Sequence, residues 1–312
     1  MNQQKQATDL RLLNLSYSGL LTLHSCPRRF QLSRLNAEKA RESDESSLTF
    51  AFGHTVGLGV QLHFEGRSLD SILWELFLGW EADLLASNPK QKKSFWLAIA
   101  AIQNLEALRS NGFLEDWELV YYQGLPAVEL SFSVDLLAGY SYRGFVDAVL
   151  QHKETKKVMI LEVKTDSSTS LSPAKYKNSA QAIGYSVVLD HMFPELSSYE
   201  VLYLVYLTKN QAYESLEFGK SYLQRALWLQ ELLLDVETLK LYEAEDIYPM
   251  RGESCFNYFR ECEYIQTCTL KTDYLVCDLN EEELAALKEK ESKYQIKVTL
   301  SDLVQSQINK GY

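Results

Sequence analysis

The sequence lacks a long uninterrupted apolar run, a secretory leader pattern and any proline-, glycine- or serine-rich tract. The stretch Leu227–Leu241 is interrupted by Gln, Glu and Asp, so we expect no membrane span, which needs about 20 consecutive apolar residues. The N-terminus carries no basic flank followed by an apolar core, and we therefore expect a cytoplasmic protein. Only six prolines are present, which argues against an internal disordered linker.

An excess of basic residues is also missing. Acidic residues outnumber basic ones by 42 to 31, which gives a formal net charge of −11. That balance disfavours a protein that coats itself with nucleic acid, but local basic groups would still hold phosphates. Two groups are candidates for such contacts, although a solvated surface is an equally good interpretation of any single member. They are Lys153, Lys156, Lys157, Lys175 and Lys177, and Arg28, Arg29 and Arg34.

The apolar content, 46% of 312 residues, predicts a packed core in one large domain or two small ones. Helical spacing comes first along the chain, then strand patterns with one helix among them, and then a long helix. This order predicts a mixed α/β core with a helical N-terminal layer. Helices are predicted over 16–35 with a break at Pro27, 48–64, 69–85, 92–111 and 222–242, strands over 127–134, 141–150, 157–164 and 200–207, and a loop over 37–47.

Several large side chains lie on the apolar faces of the helices predicted over 69–85 and 92–111. Their spacing of three and four residues is typical of core packing, and we expect them to be buried. They are Trp74, Phe77, Trp80, Trp96 and Leu105.

Two of the predicted strands place three charged side chains on one face. If the hairpin turn is centred between Glu154 and Thr155, Asp147 stands directly opposite Glu162, and Lys164 shares their face because side chains alternate along a strand. Opposed residues have Cβ atoms roughly 4.5–5.5 Å apart, and two carboxylates that close repel each other unless a cation lies between them. Hard oxygen ligands with room for water suit Mg²⁺ or Mn²⁺. A lysine one pleat further on would orient or deprotonate a water, or stabilise charge in a transition state.

An ordinary solvated hairpin is the alternative, and the tripeptide Glu-Val-Lys taken alone favours it. The apolar residues 159–161 argue against it, because they predict a buried strand in which unpaired charges are costly. Gln181 and Tyr185 are four residues apart in the next predicted helix and therefore share a face. Glu129 is either a third acidic residue near this site or a surface residue of its strand.

These motifs together resemble the PD-(D/E)XK nuclease superfamily, and most of all its RecB-like exonuclease branch. The motifs are Gly144-Phe-Val-Asp147, then fourteen residues, then Glu162-Val-Lys164-Thr165, and then Gln181-x-x-x-Tyr185. The resemblance covers roughly residues 16–270. It implies a restriction-endonuclease-like mixed sheet flanked by helices.

The resemblance also implies a Mg²⁺- or Mn²⁺-dependent DNA exonuclease. Asp147 and Glu162, with the carbonyl of Val163, would hold the metal, and Lys164 would be the catalytic lysine. The glutamine and tyrosine of the third motif would support the site or contact DNA. The implied partners are DNA with single strands or ends and a recombination or helicase protein, in DNA recombination or repair. The rival interpretation is a non-catalytic DNA-binding or recombination-partner module that keeps the fold.

One departure from the family concerns a histidine that helps to hold the metal in relatives. Gly57 occupies that position here, and neither His54 nor His63 is in register with it. The domain boundaries that follow from the resemblance are a helical region over 1–115, a nuclease core over 116–250, a cysteine-rich segment over 251–277 and a charged tail over 278–312 that is either a solvated appendage or a partner-binding element.

Five cysteines occur, and three of them lie within fourteen residues, a spacing typical of soft-metal ligands. A chance grouping or an incomplete zinc knuckle would give the same pattern. They are Cys26, Cys255, Cys262, Cys268 and Cys277. The RecB-like resemblance implies a [4Fe–4S] cluster on the first four, with Cys277 as a spare. Relatives have a cysteine where Phe259 stands, so Cys255 departs from the family spacing.

Overall fold

The computed structural model describes residues 13–35, 44–80, 93–136, 139–245, 247–257, 260–265, 268, 285 and 294–309. The chain divides into two compact units, which we call the first and second units. The first contains residues 1–41, 131–144 and 227–312, and the second contains residues 42–130 and 145–226. The domain boundaries expected from the sequence stay a prediction. No helix in the described part of the chain is long and apolar enough to cross a membrane.

The elements are named here in chain order. They are β1 (Leu13–Leu15), α1 (Tyr17–Ser25), α2 (Pro27–Phe30) with a π-helical turn (Gln31–Leu35), α3 (Asp44–Phe64), α4 (Leu69–Gly79), α5 (Phe95–Ser110), β2 (Trp117–Leu119), β3 (Tyr121–Tyr122), β4 (Leu125–Pro126), β5 (Val128–Asp135), β6 (Tyr140–His152), β7 (Val158–Asp166), α6 (Pro173–Lys177), α7 (Ala180–Leu189), β8 (Tyr199–Leu207), β9 (Ala212–Lys220), α8 (Tyr222–Glu245), a 3₁₀ turn (Gly252–Ser254), β10 (Phe256–Asn257), β11 (Arg260–Glu261), β12 (Ile296–Thr299) and α9 (Leu300–Asn309).

The second unit holds a mixed sheet in the order β6-β7-β8-β9. β6 and β7 form an antiparallel hairpin, β7 and β8 run parallel, and β9 returns antiparallel to β8. A parallel pair needs a crossover connection, which α6 and α7 supply. Helices α3, α4 and α5 cover one face of this sheet with a shared apolar core that includes Phe52, Ile102 and Leu161. The predicted mixed α/β fold, a mixed sheet flanked by helices, is confirmed.

The first unit contains the end of β5 and the start of β6, which lie within residues 131–144. β1 pairs parallel with the start of β6, and β12 pairs parallel with the end of β5. Trp228 of α8 packs edge-on against Tyr142, which in turn contacts Phe132. Residues 296–309 therefore belong to this fold, with Leu300 and Leu303 buried, so the solvated-appendage interpretation is wrong for them. Most of the charged helical pattern before them lies outside the described residues.

The early helices follow the predicted pattern with one shift. Ser16 caps α1 by accepting a hydrogen bond from the Gly19 amide at 3.2 Å, and Pro27 opens the next helix after a break at extended Cys26. α3 begins at Asp44, so the predicted loop is wrong for its last four residues. β9 was not predicted, because this edge strand is rich in exposed polar residues.

Three of the five side chains expected in the core are exposed instead. Trp74, Phe77 and Trp96 have exposed fractions of 62%, 52% and 73%, whereas Trp80 and Leu105 are buried as predicted. α4 and α5 carry apolar residues around more of their circumference than one packed stripe can bury.

A buried polar network joins α7, β8 and the start of α8. Tyr199 donates its hydroxyl to Asp190 Oδ1 at 2.9 Å, and Arg225 Nη2 lies 3.6 Å from the same oxygen. All three side chains are at most 1% exposed. Removal of one partner from a buried ion pair costs about 3–5 kcal/mol, so Asp190→Ala should lower the free energy of unfolding by about 3 kcal/mol.

Urea unfolding measures this loss. The control is Glu237→Ala, which breaks an exposed ion pair with Lys240 and should cost less than about 1 kcal/mol. Equal losses in the two variants would show that the Asp190 network does not stabilise the fold.

Candidate active site

The β6–β7 hairpin brings the predicted acidic pair together. Its bonded register pairs Ala148 with Leu161, and continuing that register by one residue sets Asp147 opposite Glu162. The polar turn lies at residues 153–155. The predicted hairpin and its register are therefore confirmed.

Glu162 lies on the buried part of β7 and is 1% exposed. Lys164 Nζ lies 2.5 Å from Glu162 Oε1 in an ion pair. Both carboxylate oxygens are inaccessible to solvent, and Lys164 and Gln181 are the side chains that act on the carboxylate through hydrogen bonds. A charged carboxylate that is shielded from water lowers the stability of the fold unless positive groups offset its charge.

Asp147 is held by the backbone of the neighbouring strand. The Val163 amide donates a hydrogen bond to Asp147 Oδ2 at 2.7 Å. Burial raises the pKa of Asp147 to about 6, against the attraction of Lys164. Burial, followed by repulsion from Asp147, raises the pKa of Glu162 to about 8. The two carboxyl groups therefore resist carrying two negative charges together, which is the electrostatic condition that a bound cation relieves.

Lys164 is oriented by the helix that follows the strand. Gln181 accepts a hydrogen bond from Lys164 Nζ at 3.1 Å and donates its amide to the Tyr185 hydroxyl at 2.8 Å. Gln181 and Tyr185 lie one turn apart on α7, and Tyr185 is buried. The structure thus joins the three predicted residues in one hydrogen-bonded chain, with the lysine at its end nearest the carboxylates.

Glu129 also faces this site, from β5. Gln61 of α3 donates a hydrogen bond to Glu129 Oε1. Partial burial and then the nearby charge of Glu162 raise the pKa of Glu129, although the Gln61 bond opposes this. Its backbone φ is 45°, a left-handed conformation that is uncommon for a residue other than glycine and that concentrates at functional sites. Glu129 is an exposed residue of its strand and also acts electrostatically on the acidic pair, so the two interpretations both hold.

Gln61 is the residue of this site that the sequence analysis missed. It lies in an apolar stretch of α3 and is buried. A buried amide needs a partner, but the pattern along the helix does not reveal that the partner comes from β5.

The acidic pair has the composition of a Mg²⁺ or Mn²⁺ site with few protein ligands. Within the residues that the structure describes, no group of three or more His, Cys, Asp or Glu side chains is arranged to hold a metal. Mg²⁺ is commonly bound by one or two carboxylates plus water and substrate phosphate. Buried Glu162 and partly buried Asp147, which repel each other, fit that description.

The two histidines near the family position differ in their surroundings. His54 lines a cavity beside β7 together with Lys164. His63 instead lies 3.3 Å from Glu106 on α5, and burial lowers the pKa of its imidazole. A Cβ added to Gly57 would meet no atom within 4 Å, so the position where relatives carry a histidine is open space.

Two of the five lysines predicted near the site, Lys156 and Lys175, form ion pairs with acidic side chains. Lys175 Nζ lies 2.6 Å from Asp166, two residues beyond Lys164 on β7. Partial burial acts to raise the pKa of Asp166, but hydrogen bonds from Lys175 and Ser168 hold it at about 2. At the hairpin turn, Lys156 lies 3.7 Å from Glu118.

Two of the three predicted arginines are engaged by other protein groups, whereas Arg34 is exposed and donates to Ser18 Oγ at 3.3 Å, so a phosphate contact from this group stays a prediction. Arg28 is 3% exposed and donates to Gln31 and to the Cys268 carbonyl. Arg29 pairs with Glu263 at 2.8 Å. Both guanidinium groups are used within the first unit.

The described cysteines gather in one part of the first unit. The β10–β11 hairpin brings Cys262 back to Cys255, whose carbonyl accepts from the Cys262 amide at 2.8 Å. The Cys268 thiol interacts electrostatically with Cys26 and Cys255, and burial raises its pKa. No three of them form a metal site among the described residues, so the structure does not support the [4Fe–4S] prediction. Cys277 lies outside the described residues.

Comparison with known proteins gives a family match. A family model described as the PD-(D/E)XK nuclease superfamily matches residues 14–269. No curated protein matches the sequence. A solved structure described as "Putative exonuclease" from Eubacterium rectale has 11% identity and a TM-score of 0.47, and the match covers 92% of this chain and 98% of the other. The structure of SSO0001 has 14% identity and a TM-score of 0.30, with coverages of 72% and 76%. Both TM-scores are too low to bear on fold or activity.

Proposed function

The chain belongs to the PD-(D/E)XK nuclease superfamily, and on that premise we propose that it is a divalent-metal-dependent DNA exonuclease. The observation that carries the proposal is the pair of buried Glu162 and partly buried Asp147, which repel each other, with Lys164 Nζ 2.5 Å from Glu162 Oε1. A structural ion pair would not need the second carboxylate, whereas metal-dependent phosphodiester hydrolysis uses all three groups.

Each residue has a separate part in this proposal. Asp147, Glu162 and the Val163 carbonyl would hold Mg²⁺ or Mn²⁺, which supplies Lewis-acid activation and lowers the pKa of water. Lys164 orients the attacking water and places a positive charge where negative charge develops on the phosphate. Gln181 and Tyr185 hold the ammonium group in position through their hydrogen bonds. Hydrolysis would form a bond between the water oxygen and phosphorus and break the bond from phosphorus to the leaving oxygen, which takes up a proton given up by the water and departs with the neighbouring nucleotide.

The exonuclease part of the proposal predicts that the enzyme needs a DNA end. Linear single-stranded DNA should be degraded in Mn²⁺ to short products, while circular single-stranded DNA of the same sequence should stay intact. Denaturing gels of 5′- and 3′-labelled linear strands would also reveal the polarity. Cutting of the circle at a rate similar to the linear strand would make the protein an endonuclease.

The rival interpretation, a non-catalytic DNA-binding module, draws on the open position at Gly57. It predicts DNA binding without digestion of either linear or circular substrate in any divalent metal. The role in recombination or repair and the protein partner stay predictions from the sequence resemblance.

A [4Fe–4S] cluster on Cys26, Cys255, Cys262 and Cys268 is a separate part of the proposal. It is supported by the resemblance of the sequence to RecB-like nucleases alone, because the described part of the structure contains no metal-binding group of cysteines. We expect anaerobically purified protein to contain iron and acid-labile sulfide in equal amounts, and Cys26→Ser to lose both. Zinc, or no metal, in the anaerobic preparation would remove the cluster from the proposal and leave the hydrolytic site unaffected.

A further inference from the structure

An exposed aromatic ring lies beside the hydrolytic site. Phe50, near the start of α3, has an exposed fraction of 77%. It borders a cavity of about 340 Å³ that continues to β7 at the catalytic lysine. The cavity is lined by Thr49, Phe50, Gly53 and His54 of α3 and by Val163, Lys164 and Thr165 of β7.

One face of α3 runs along this side of the site. Phe50, Gly53, Gly57 and Gln61 are spaced by three and four residues, so they share that face. Gln61 at its far end is bonded to Glu129. A Cβ on Gly53 would lie 3.6 Å from Thr165 Oγ1, and one on Gly57 would meet nothing. Two glycines in a helix interior cost roughly 0.5–1 kcal/mol each relative to alanine; Gly53 lines the cavity beside Phe50, and Gly57 adds no side chain further along the same face.

The Phe50 ring is supported from its own helix. Its plane is parallel to the His54 imidazole, with an interplanar angle of 2° and 6.4 Å between ring centroids. A ring supported in this way and still largely open to solvent presents a flat apolar surface, unlike Trp80, which is buried against Phe95.

We propose that Phe50 is a stacking platform for an unpaired nucleobase of the DNA substrate, adjacent to the phosphate that is cut. The inference rests on the proposed function and adds the substrate class, a single strand or a frayed end. Lys164 lines the same cavity, so a base on Phe50 would place its own phosphate beside the cationic and acidic groups. Every base has a π-face, so stacking on an aromatic ring accepts any base. An exonuclease that degrades a strand of any sequence needs a contact of this kind.

The platform predicts a specific kinetic signature for substitutions at Phe50. Phe50→Ala should raise KM for single-stranded DNA about tenfold with little change in kcat, because stacking contributes about 1–3 kcal/mol per base. Phe50→Leu should resemble the alanine variant, and Phe50→Trp should stay within about twofold of the parent protein. The control is Trp96→Ala, an equally exposed aromatic residue of the second unit, 73% exposed, that does not line the cavity. Rescue by leucine as complete as by tryptophan would show apolar packing and not stacking.

A binding measurement separates this inference from the hydrolytic proposal. The Lys164→Ala protein would be titrated with single-stranded DNA that carries 2-aminopurine at successive positions from one end. We expect the 2-aminopurine fluorescence to be quenched at one position of the strand. This quenching should disappear in the double variant that combines Lys164→Ala with Phe50→Ala, and it should persist in the double variant that combines Lys164→Ala with Trp96→Ala. DNA bound with the same quenching in all three proteins would overturn the platform while leaving the nuclease proposal standing. A protein that binds no DNA would overturn both.

Discussion

Lys164→Ala is expected to lower kcat for DNA hydrolysis by about 10³-fold while KM changes little. The ammonium group lies 2.5 Å from Glu162 Oε1 and 3.1 Å from Gln181 Oε1, so it is fixed against the acidic pair before substrate arrives. A group held in advance at the reacting centre acts on the transition state more than on the bound substrate, which is why the loss should appear in kcat.

The matched control for this variant is Lys240→Ala. The Lys240 side chain is 39% exposed and paired with a glutamate, and the Lys164 side chain is 38% exposed and also paired with a glutamate. The two changes therefore remove the same charge from lysines of similar exposure, although Glu162 is 1% exposed and Glu237 is 67% exposed. Single-turnover digestion of labelled DNA in Mn²⁺ separates chemistry from product release. If Lys164→Ala kept more than a tenth of the parent rate, the lysine would have no catalytic role.

Glu162→Gln is expected to abolish metal-dependent activity and, without metal, to stabilise the protein. Burial and the repulsion from Asp147 raise the pKa of Glu162 to about 8, so the native fold disfavours the carboxylate that metal binding needs. A glutamine has nearly the same shape and no charge. The Tm of the parent protein should rise by about 5 °C at saturating Mn²⁺. In EDTA the Tm of the variant should be higher than that of the parent protein, and Mn²⁺ should raise it hardly at all.

The difference in Tm between the metal-free parent protein and Glu162→Gln should increase with pH. A carboxyl whose pKa is raised in the folded state contributes stability that is present at low pH and is lost as the pH rises through the folded pKa. The metal-free parent protein should therefore lose Tm between about pH 5 and pH 8, while Glu162→Gln should not lose this contribution. Thermal unfolding in EDTA across that range measures the gap between them. Glu237→Gln, a change at an exposed glutamate, serves as the control, and a gap that narrows with rising pH would contradict the account.

The arrangement of the acidic pair could be predicted because it depends only on the geometry of a strand hairpin. A short polar turn fixes which residues of its two strands are paired, so the sequence alone predicts that Asp147 lies opposite Glu162. The helical spacing of Gln181 and Tyr185 works in the same way. Alternation along a strand and the period of a helix are both short-range properties.

What could not be predicted depends on contacts between distant parts of the chain. Glu129 has a left-handed backbone and accepts a hydrogen bond from Gln61 of another element, and its own strand pattern indicates neither. The exposure of Trp74 depends on which stripe of α4 its neighbours bury. The tail strand β12 pairs with β5, more than 150 residues earlier, and nothing in its own four residues identifies that partner.

Anomalous diffraction from crystals of the Lys164→Ala protein grown with Mn²⁺ tests the central claim most directly, because the scattering locates the metal itself. The account predicts an anomalous peak between the carboxylates of Asp147 and Glu162, with metal–oxygen distances of about 2.0–2.2 Å, and no peak there in an Asp147→Asn crystal. Mn²⁺ bound only elsewhere, in a protein whose parent form digests DNA in the same metal, would contradict it.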